Sequence, residues 1–225
     1  MIVVTGSSQG LGLAICERLH SLEIDVFGLS RNVSNAIFPS MSCDVSSYEE
    51  VKKVALTLKK EGKKISGLVN AAGIASMNLA VTTPPTISQK IIETNLLGTI
   101  FCCQLIAPLM MRNKCGSIMN FSTIAVSLGL KGESVYAASK AGVEGFTRSF
   151  AREMADFNIN VNCIAPGPID TSLLKGITAN QIHKIVSQQI IPKQFSPGAI
   201  CDLVELLLDD RSNSLSGQVL HVGGT

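Results

Sequence analysis

The chain alternates short runs of β-branched and aliphatic residues with longer stretches whose apolar positions recur every three to four residues, the marks of strands and amphipathic helices in turn. Met1 to Val4 reads as a strand, Leu11 to Leu22 as a helix and Asp25 to Leu29 as a second strand, with a short third at Met41 to Cys43. Ser47 to Glu61 has helical period and many lysines, Gly67 to Asn70 is a strand, and Ser88 to Asn113 is a long helical region expected to bend near Pro108. Ser117 to Phe121 and Asn160 to Ile164 are strands on either side of a helix at Ser134 to Phe157. Helices at Ala179 to Gln189 and Pro197 to Leu208 lead to a closing strand at Gln218 to Val222. This alternation predicts one α/β domain over residues 1–225, a doubly wound and mostly parallel sheet of about seven strands with helices on both faces. About ten residues separate the second and third strands, fewer than a parallel crossover helix needs. A loop or a single helical turn is expected there.

Composition agrees with a packed interior: of 225 residues 46% are hydrophobic and 16% charged, the reverse of what disorder requires. The net charge of +2 is spread along the chain with no dense basic block, so nothing marks a nucleic-acid partner. No apolar run reaches the length needed to cross a bilayer, and the opening Met1-Ile2-Val3-Val4 turns glycine-rich too soon for a signal peptide. No membrane partner and a cytoplasmic location are expected. The seven cysteines include no Cys-x-x-Cys pair and sit mostly in apolar segments, where they read as buried reduced thiols. His20, His183 and His221 have no metal-ligand spacing, so no metal is expected.

Thr5-Gly6-Ser7-Ser8-Gln9-Gly10-Leu11-Gly12 lies between the first strand and the first helix. Glycines there let the backbone turn tightly and approach a pyrophosphate, while the helix start offers free N–H groups and a positive dipole end. The spacing is Gly-x-x-x-Gly-x-Gly, a variant of the dinucleotide turn of Rossmann-type folds. The second strand ends in Ser30-Arg31, with no acid to hold a ribose 2′-hydroxyl. Arg31 suits a 2′-phosphate, so the expected cofactor is NADP(H). Further on, Tyr136 and Lys140 stand four residues apart in a helical run and share a face. A neighbouring ammonium favours the phenolate, so the lysine is expected to lower the phenol pKa from its ordinary value of about 10. Tyr48, the other tyrosine, reads as structural.

With these motifs the chain resembles the short-chain dehydrogenase/reductase family over nearly its whole length. Asp44, with Val45 beside it, resembles the residues that contact adenine, and Asn70-Ala71-Ala72-Gly73 resembles the family's Asn-Asn-Ala-Gly stretch with alanine in the second place. Glu93-Thr94-Asn95-Leu96 resembles the segment carrying the catalytic asparagine. Pro166-Gly167-Pro168-Ile169-Asp170-Thr171 resembles the stretch that cradles the nicotinamide, where Pro166, Gly167, Ile169 and Thr171 make the contacts. The family's serine lies thirteen positions before the tyrosine, which here is Thr123 (136 − 13). Threonine supplies the same hydroxyl, and Ser122, next along a strand, is expected to face away. The resemblance thus implies Asn95, Thr123, Tyr136 and Lys140 as the catalytic set. In the cofactor turn it implies Gly6, Ser8, Gln9, Gly10, Leu11 and Gly12, with Ser30 and Arg31 at the adenosine ribose and Lys140 at the nicotinamide ribose.

Within the family, the tail from Gly217 to Gly224 and the stretch Gln188 to Leu208 are most similar to 3-oxoacyl-acyl-carrier-protein reductases of fatty acid biosynthesis. That implies NADPH-dependent reduction of a carrier-bound ketone. Lys114 is basic where such reductases meet the acyl carrier protein, whereas Asp156 and Phe157 are not. A reductase of another small ketone, a steroid or a sugar-like carbonyl is the alternative, and a non-catalytic nucleotide-binding protein a more remote one. Leu173 to Ile191 is expected to form a lid that turns Ile182, Ile185 and Val186 to an apolar substrate. A homotetramer or homodimer, built on the long helices, is what the resemblance implies.

Overall fold

A computed structural model describes residues 1–33, 36–171 and 178–225 of the chain. Seven parallel strands form one sheet in the order β3-β2-β1-β4-β5-β6-β7. They are β1 (Ile2–Thr5), β2 (Val26–Ser30), β3 (Ser40–Ser42), β4 (Gly67–Asn70), β5 (Gly116–Phe121), β6 (Ile159–Pro166) and β7 (Val219–Val222). The order reverses between β1 and β4, which opens a crevice at their carboxyl ends.

Helices cover both faces. On one lie α2 (Tyr48–Lys60), α4 (Gly98–Met111) and α6 (Ser134–Ala155), and on the other α1 (Gly10–Ser21) and α8 (Pro197–Leu208). Successive strand residues point to opposite faces. Accordingly Val3, Leu68 and Ile118 enter the first core, while Ile2, Val4, Val69 and Met119 enter the second. Burial on both faces is why these strands read as continuous apolar runs. Arg18 on α1 reaches across to α8, with 2.6 Å contacts to both Asp202 and Glu205.

The connection from β2 to β3 carries no helix among its described residues. Phe38 is buried there against β2, in space that a side chain at Gly28 would fill. α3 (Pro85–Ile92), a π-helical turn (Glu93–Leu97) and α4 form one stretch from Pro85 to Met111. α4 continues through Pro108, and the hydrogen-bond register changes earlier, at Glu93–Leu97. Pro108 and Gln104, whose carbonyl loses its helical donor, are both exposed, so water can satisfy that carbonyl. The expectation that no segment could match a bilayer also needs correction, since Pro85–Met111 is long and apolar enough. Cys102, Cys103, Ile106 and Met110 pack into the first core, as in a core helix. Two short helices complete the described set, α5 (Ala125–Leu128), which the pattern did not suggest, and α7 (Ala179–Val186). Six cysteines are buried, Cys115 is exposed and all seven are free thiols. Tyr48 packs edge-on against Phe101, with ring centroids 5.4 Å apart.

Candidate active site

The turn after β1 is held in shape by its glycines. Gly6 and Gly10 have φ of +73° and +59°, which L side chains rarely adopt. A Cβ at Gly6 would lie 2.9 Å from the Ala72 Cα, and one at Gly12 would overlap the Gly6 carbonyl oxygen. The Thr5 hydroxyl accepts a hydrogen bond from the Ala72 N–H (3.0 Å), tying the turn to the end of β4. Gln9 precedes α1 without capping it, and the first helical turn has no acidic residue. Its N–H groups and dipole therefore suit a diphosphate.

This turn forms the floor of a cleft of about 670 Å³. At one end stand Ser30 and Arg31 from the end of β2, with Asp44 and Val45 from the end of β3. At the other stand Tyr136 and Lys140 of α6, with Pro166 and Thr171 beyond β6. Ala71, Ala72 and Gly73 line the wall between. Burial acts to raise the Asp44 carboxyl, but hydrogen bonds from the Ser46 side chain (2.6 Å) and N–H (3.0 Å), with the Arg31 and Lys90 charges, hold it below the usual value. Four of the expected cofactor residues lie elsewhere. Asn70 is buried, its amide donating to Asn120 Oδ1 (2.9 Å), while Gly167 and Ile169 line a neighbouring cavity. Gly12 packs behind the turn, against the backbone of Gly6.

A second cavity of about 330 Å³ meets the cleft at Tyr136, which lines both. Its wall is largely apolar, with Leu11, Ile124, Leu130, Pro168 and Ile185. Thr123 faces it beside the Tyr136 phenol, and its hydroxyl accepts from the Ala125 N–H (3.2 Å). Ser122, just past the end of β5, also lines both cavities, but its hydroxyl is engaged elsewhere, donating to Glu144 Oε1 (2.7 Å). Ile182, Ile185 and Val186 of α7 are half-buried, and Ile185 reaches this cavity. The remainder of the expected lid, 173–177, lies outside the described residues.

Behind the phenol, Lys140 and Asn95 meet beside Gly73. A Cβ built there would be 3.3 Å from Asn95 Oδ1 and 3.5 Å from Lys140 Nζ. Asn95 is fully buried in the π-helical turn; its Oδ1 accepts from the Ile74 N–H (2.8 Å), and its Nδ2 donates to the Ile74 carbonyl (2.9 Å) and to Ser139 Oγ (3.1 Å). Such π turns inside helices recur at functional sites because they re-aim a side chain without ending the helix. Lys140 Nζ donates to the Phe121 carbonyl (2.8 Å), which leaves two of its three donors. Burial pulls its ammonium down to about 8. The phenol moves against expectation: burial pushes Tyr136 up, the Glu133 charge adds to this, and the Thr123 hydroxyl acts the other way. A buried charge is costly and a buried phenol is not, so each group is pushed towards its neutral form.

Sequence reasoning missed Asn32, Ser46, Lys90 and Glu93, which line the cleft, and Ser76, Met77 and Glu133, which line the second cavity. Only position could have shown them, since each is an ordinary surface-type residue in its own segment.

The profile of the family described as Enoyl-(Acyl carrier protein) reductase matches residues 2–224. The chain is 31% identical to 3-oxoacyl-[acyl-carrier-protein] reductase of Salmonella typhimurium, over 99% of this chain and 95% of that protein. It is 34% identical to carbonyl reductase family member 4 of Danio rerio, over 100% and 96%. Among solved structures, ligand-free aldohexose dehydrogenase of Thermoplasma acidophilum superposes with a TM-score of 0.90 at 30% identity, covering 99% of this chain and 92% of that one. ElxO with NADP bound superposes with a TM-score of 0.89 at 28% identity, covering 98% and 96%.

Proposed function

Because the chain belongs to the short-chain dehydrogenase/reductase family, we propose that it is a cytoplasmic enzyme that reduces a ketone to a secondary alcohol with NADPH, its substrate a 3-oxoacyl thioester carried by an acyl carrier protein. The observation that carries this reading is the position of Tyr136. Its phenol stands where a dinucleotide-shaped cleft opens into a smaller, mostly apolar cavity, with Thr123 on the same cavity wall. NADP(H) fits the uncapped start of α1, the glycine floor and the Arg31 rim.

Ser8, Gln9, Gly10 and Leu11 would hold the diphosphate, Ser30 and Arg31 the 2′-phosphate, and Asp44 and Val45 the adenine. When bound, the cofactor supplies the hydride that goes to the carbonyl carbon. The Thr123 hydroxyl donates a hydrogen bond to the carbonyl oxygen as charge grows on it, and Tyr136 gives that oxygen its proton. The raised phenol pKa keeps Tyr136 protonated at neutral pH, the form that reduction needs. Lys140 holds the nicotinamide ribose with its remaining donors. With its pKa pulled down to about 8 it stays mostly protonated at neutral pH yet releases a proton more readily than a free lysine, and with Asn95 it would pass protons back to the phenol. Pro166, Gly167, Ile169 and Thr171 shape the wall where the two cavities meet.

One observation favours a second reading, a small free carbonyl: an acid, Glu133, lines the cavity that an acyl chain would enter. NADPH oxidation with an acetoacetyl thioester and with a panel of free ketones separates the two. The thioester is expected to react fastest; turnover of free ketones alone would select the second reading, and NADPH binding without turnover of any would remove both. In the same assay Arg31→Ala is expected to weaken NADPH about tenfold and to leave NADH unchanged, the cost of one charge-assisted hydrogen-bonding partner. Equal losses would make Arg31 a surface residue.

A further inference from the structure

Glu133 has no structural employment that accounts for its burial. It precedes α6, the position where an acceptor side chain usually caps a helix, yet its carboxylate makes no capping hydrogen bond. Among the described residues no hydrogen bond or ion pair holds that carboxylate, and only its main-chain N–H is engaged, by the Leu130 carbonyl (3.2 Å). The residue is nevertheless nine-tenths buried, at 9% exposure, and it lines the second cavity. Its carboxylate oxygens open to the cavity, so water serves them until a substrate displaces it, and the partial burial pushes its pKa up. Of the cavity's other polar side chains, the Ser122 hydroxyl donates to Glu144 Oε1 (2.7 Å) and the Ser76 hydroxyl accepts from Asn78 Nδ2 (2.6 Å). Glu133 is the one carboxylate among the described residues of the lining, and it faces the cavity without a donor. It stands three residues before Tyr136, at the start of the same helix, and its charge acts on the phenol.

We propose that Glu133 is a specificity residue, accepting a hydrogen bond from a neutral O–H or N–H donor that the substrate carries a few bonds from its reacting carbonyl. This rests on the reductase reading above and sharpens it. A donor relieves the stranded carboxylate, an apolar group leaves it unpaired, and an anionic group is repelled. Two sources offer such a donor: the hydroxyl of a small hydroxyketone, or the first amide N–H beyond the sulfur of a pantetheine-type thioester.

Matched pairs distinguish them. 1-Hydroxy-2-butanone is compared with 2-butanone, and the acetoacetyl thioester of N-acetylcysteamine with that of ethanethiol, using wild-type enzyme, Glu133→Leu and Glu133→Gln. In Glu133→Leu, kcat/KM for the donor-bearing member of one pair is expected to fall about tenfold or more relative to its donor-free partner, as removal of a hydrogen bond to a charged group implies. Glu133→Gln keeps the size and an acceptor oxygen, so it should recover part of the loss. The pair that responds names the donor. Equal change in both members of both pairs, in both variants, would overturn the assignment while leaving the reductase reading intact. A wild-type enzyme that turns over none of the four substrates would overturn the reductase reading, and this inference with it.

Discussion

Tyr136→Phe is expected to lower turnover with NADPH by a factor of about 10² to 10⁴, the usual worth of a positioned general acid. The variant should bind NADPH nearly as well as wild type, because the lost hydroxyl faces the substrate side and Thr123. Phenylalanine also suits so buried a position, where the ring is only 7% exposed, so folding should be preserved. Single-turnover absorbance at saturating NADPH measures the first effect and fluorescence titration the second. Retained turnover would refute the proton-donor role, and lost binding would show that the phenol holds the dinucleotide instead.

Lys140→Met should separate activity from stability. Turnover is expected to fall about 10²-fold or more, since the variant loses the ribose contact, the positive charge behind the phenol and the proton path. Thermal stability near pH 7 is expected to rise. Burial lowers the lysine from 10.5 to about 8 in the folded chain, so between these values the unfolded state holds more protons and wild-type stability climbs with pH. Below pH 8 both states are protonated and the full cost of burying the charge persists. Methionine removes that cost, about 3 kcal/mol, and forfeits the bond from a charged donor to the Phe121 carbonyl (2.8 Å), worth about 1.5–3 kcal/mol. The net gain is at most about 1.5 kcal/mol, or up to roughly 6 °C in Tm for a chain of this size, shrinking as pH rises towards 10.5. Calorimetry at pH 7 and pH 10 measures it. A lower Tm at pH 7 would show that the hydrogen bond outweighs the desolvation.

Much of this was legible in the residue pattern because the physics involved is local. Strands buried on both faces must be apolar throughout, and those runs locate β1, β4 and β5. A backbone that needs positive φ and close approach needs glycine, which marks Gly6 and Gly10. The count back from Tyr136 picks out Thr123, and the Ser122 hydroxyl beside it is taken up by Glu144. What stayed hidden is set by tertiary contact. The shift to π geometry at Glu93–Leu97 has no compositional mark, whereas Pro108 does, so the π turn went unseen. The direction of the Tyr136 shift depends on burial and on Glu133, neither of which the four-residue spacing to Lys140 reveals. Lys90 reaches the adenosine end only because α3 folds over it.

The central claim is convergence: a phenol and an amine of one helix meet the reactive ring of a dinucleotide that rests on the opening glycine turn. A crystal structure of the chain with NADPH bound tests it most directly. The account predicts the diphosphate at the start of α1, the 2′-phosphate against Arg31 and the nicotinamide beside the Tyr136 hydroxyl, with Lys140 on its ribose. A dinucleotide seated elsewhere, or a nicotinamide turned away from Tyr136, would contradict it.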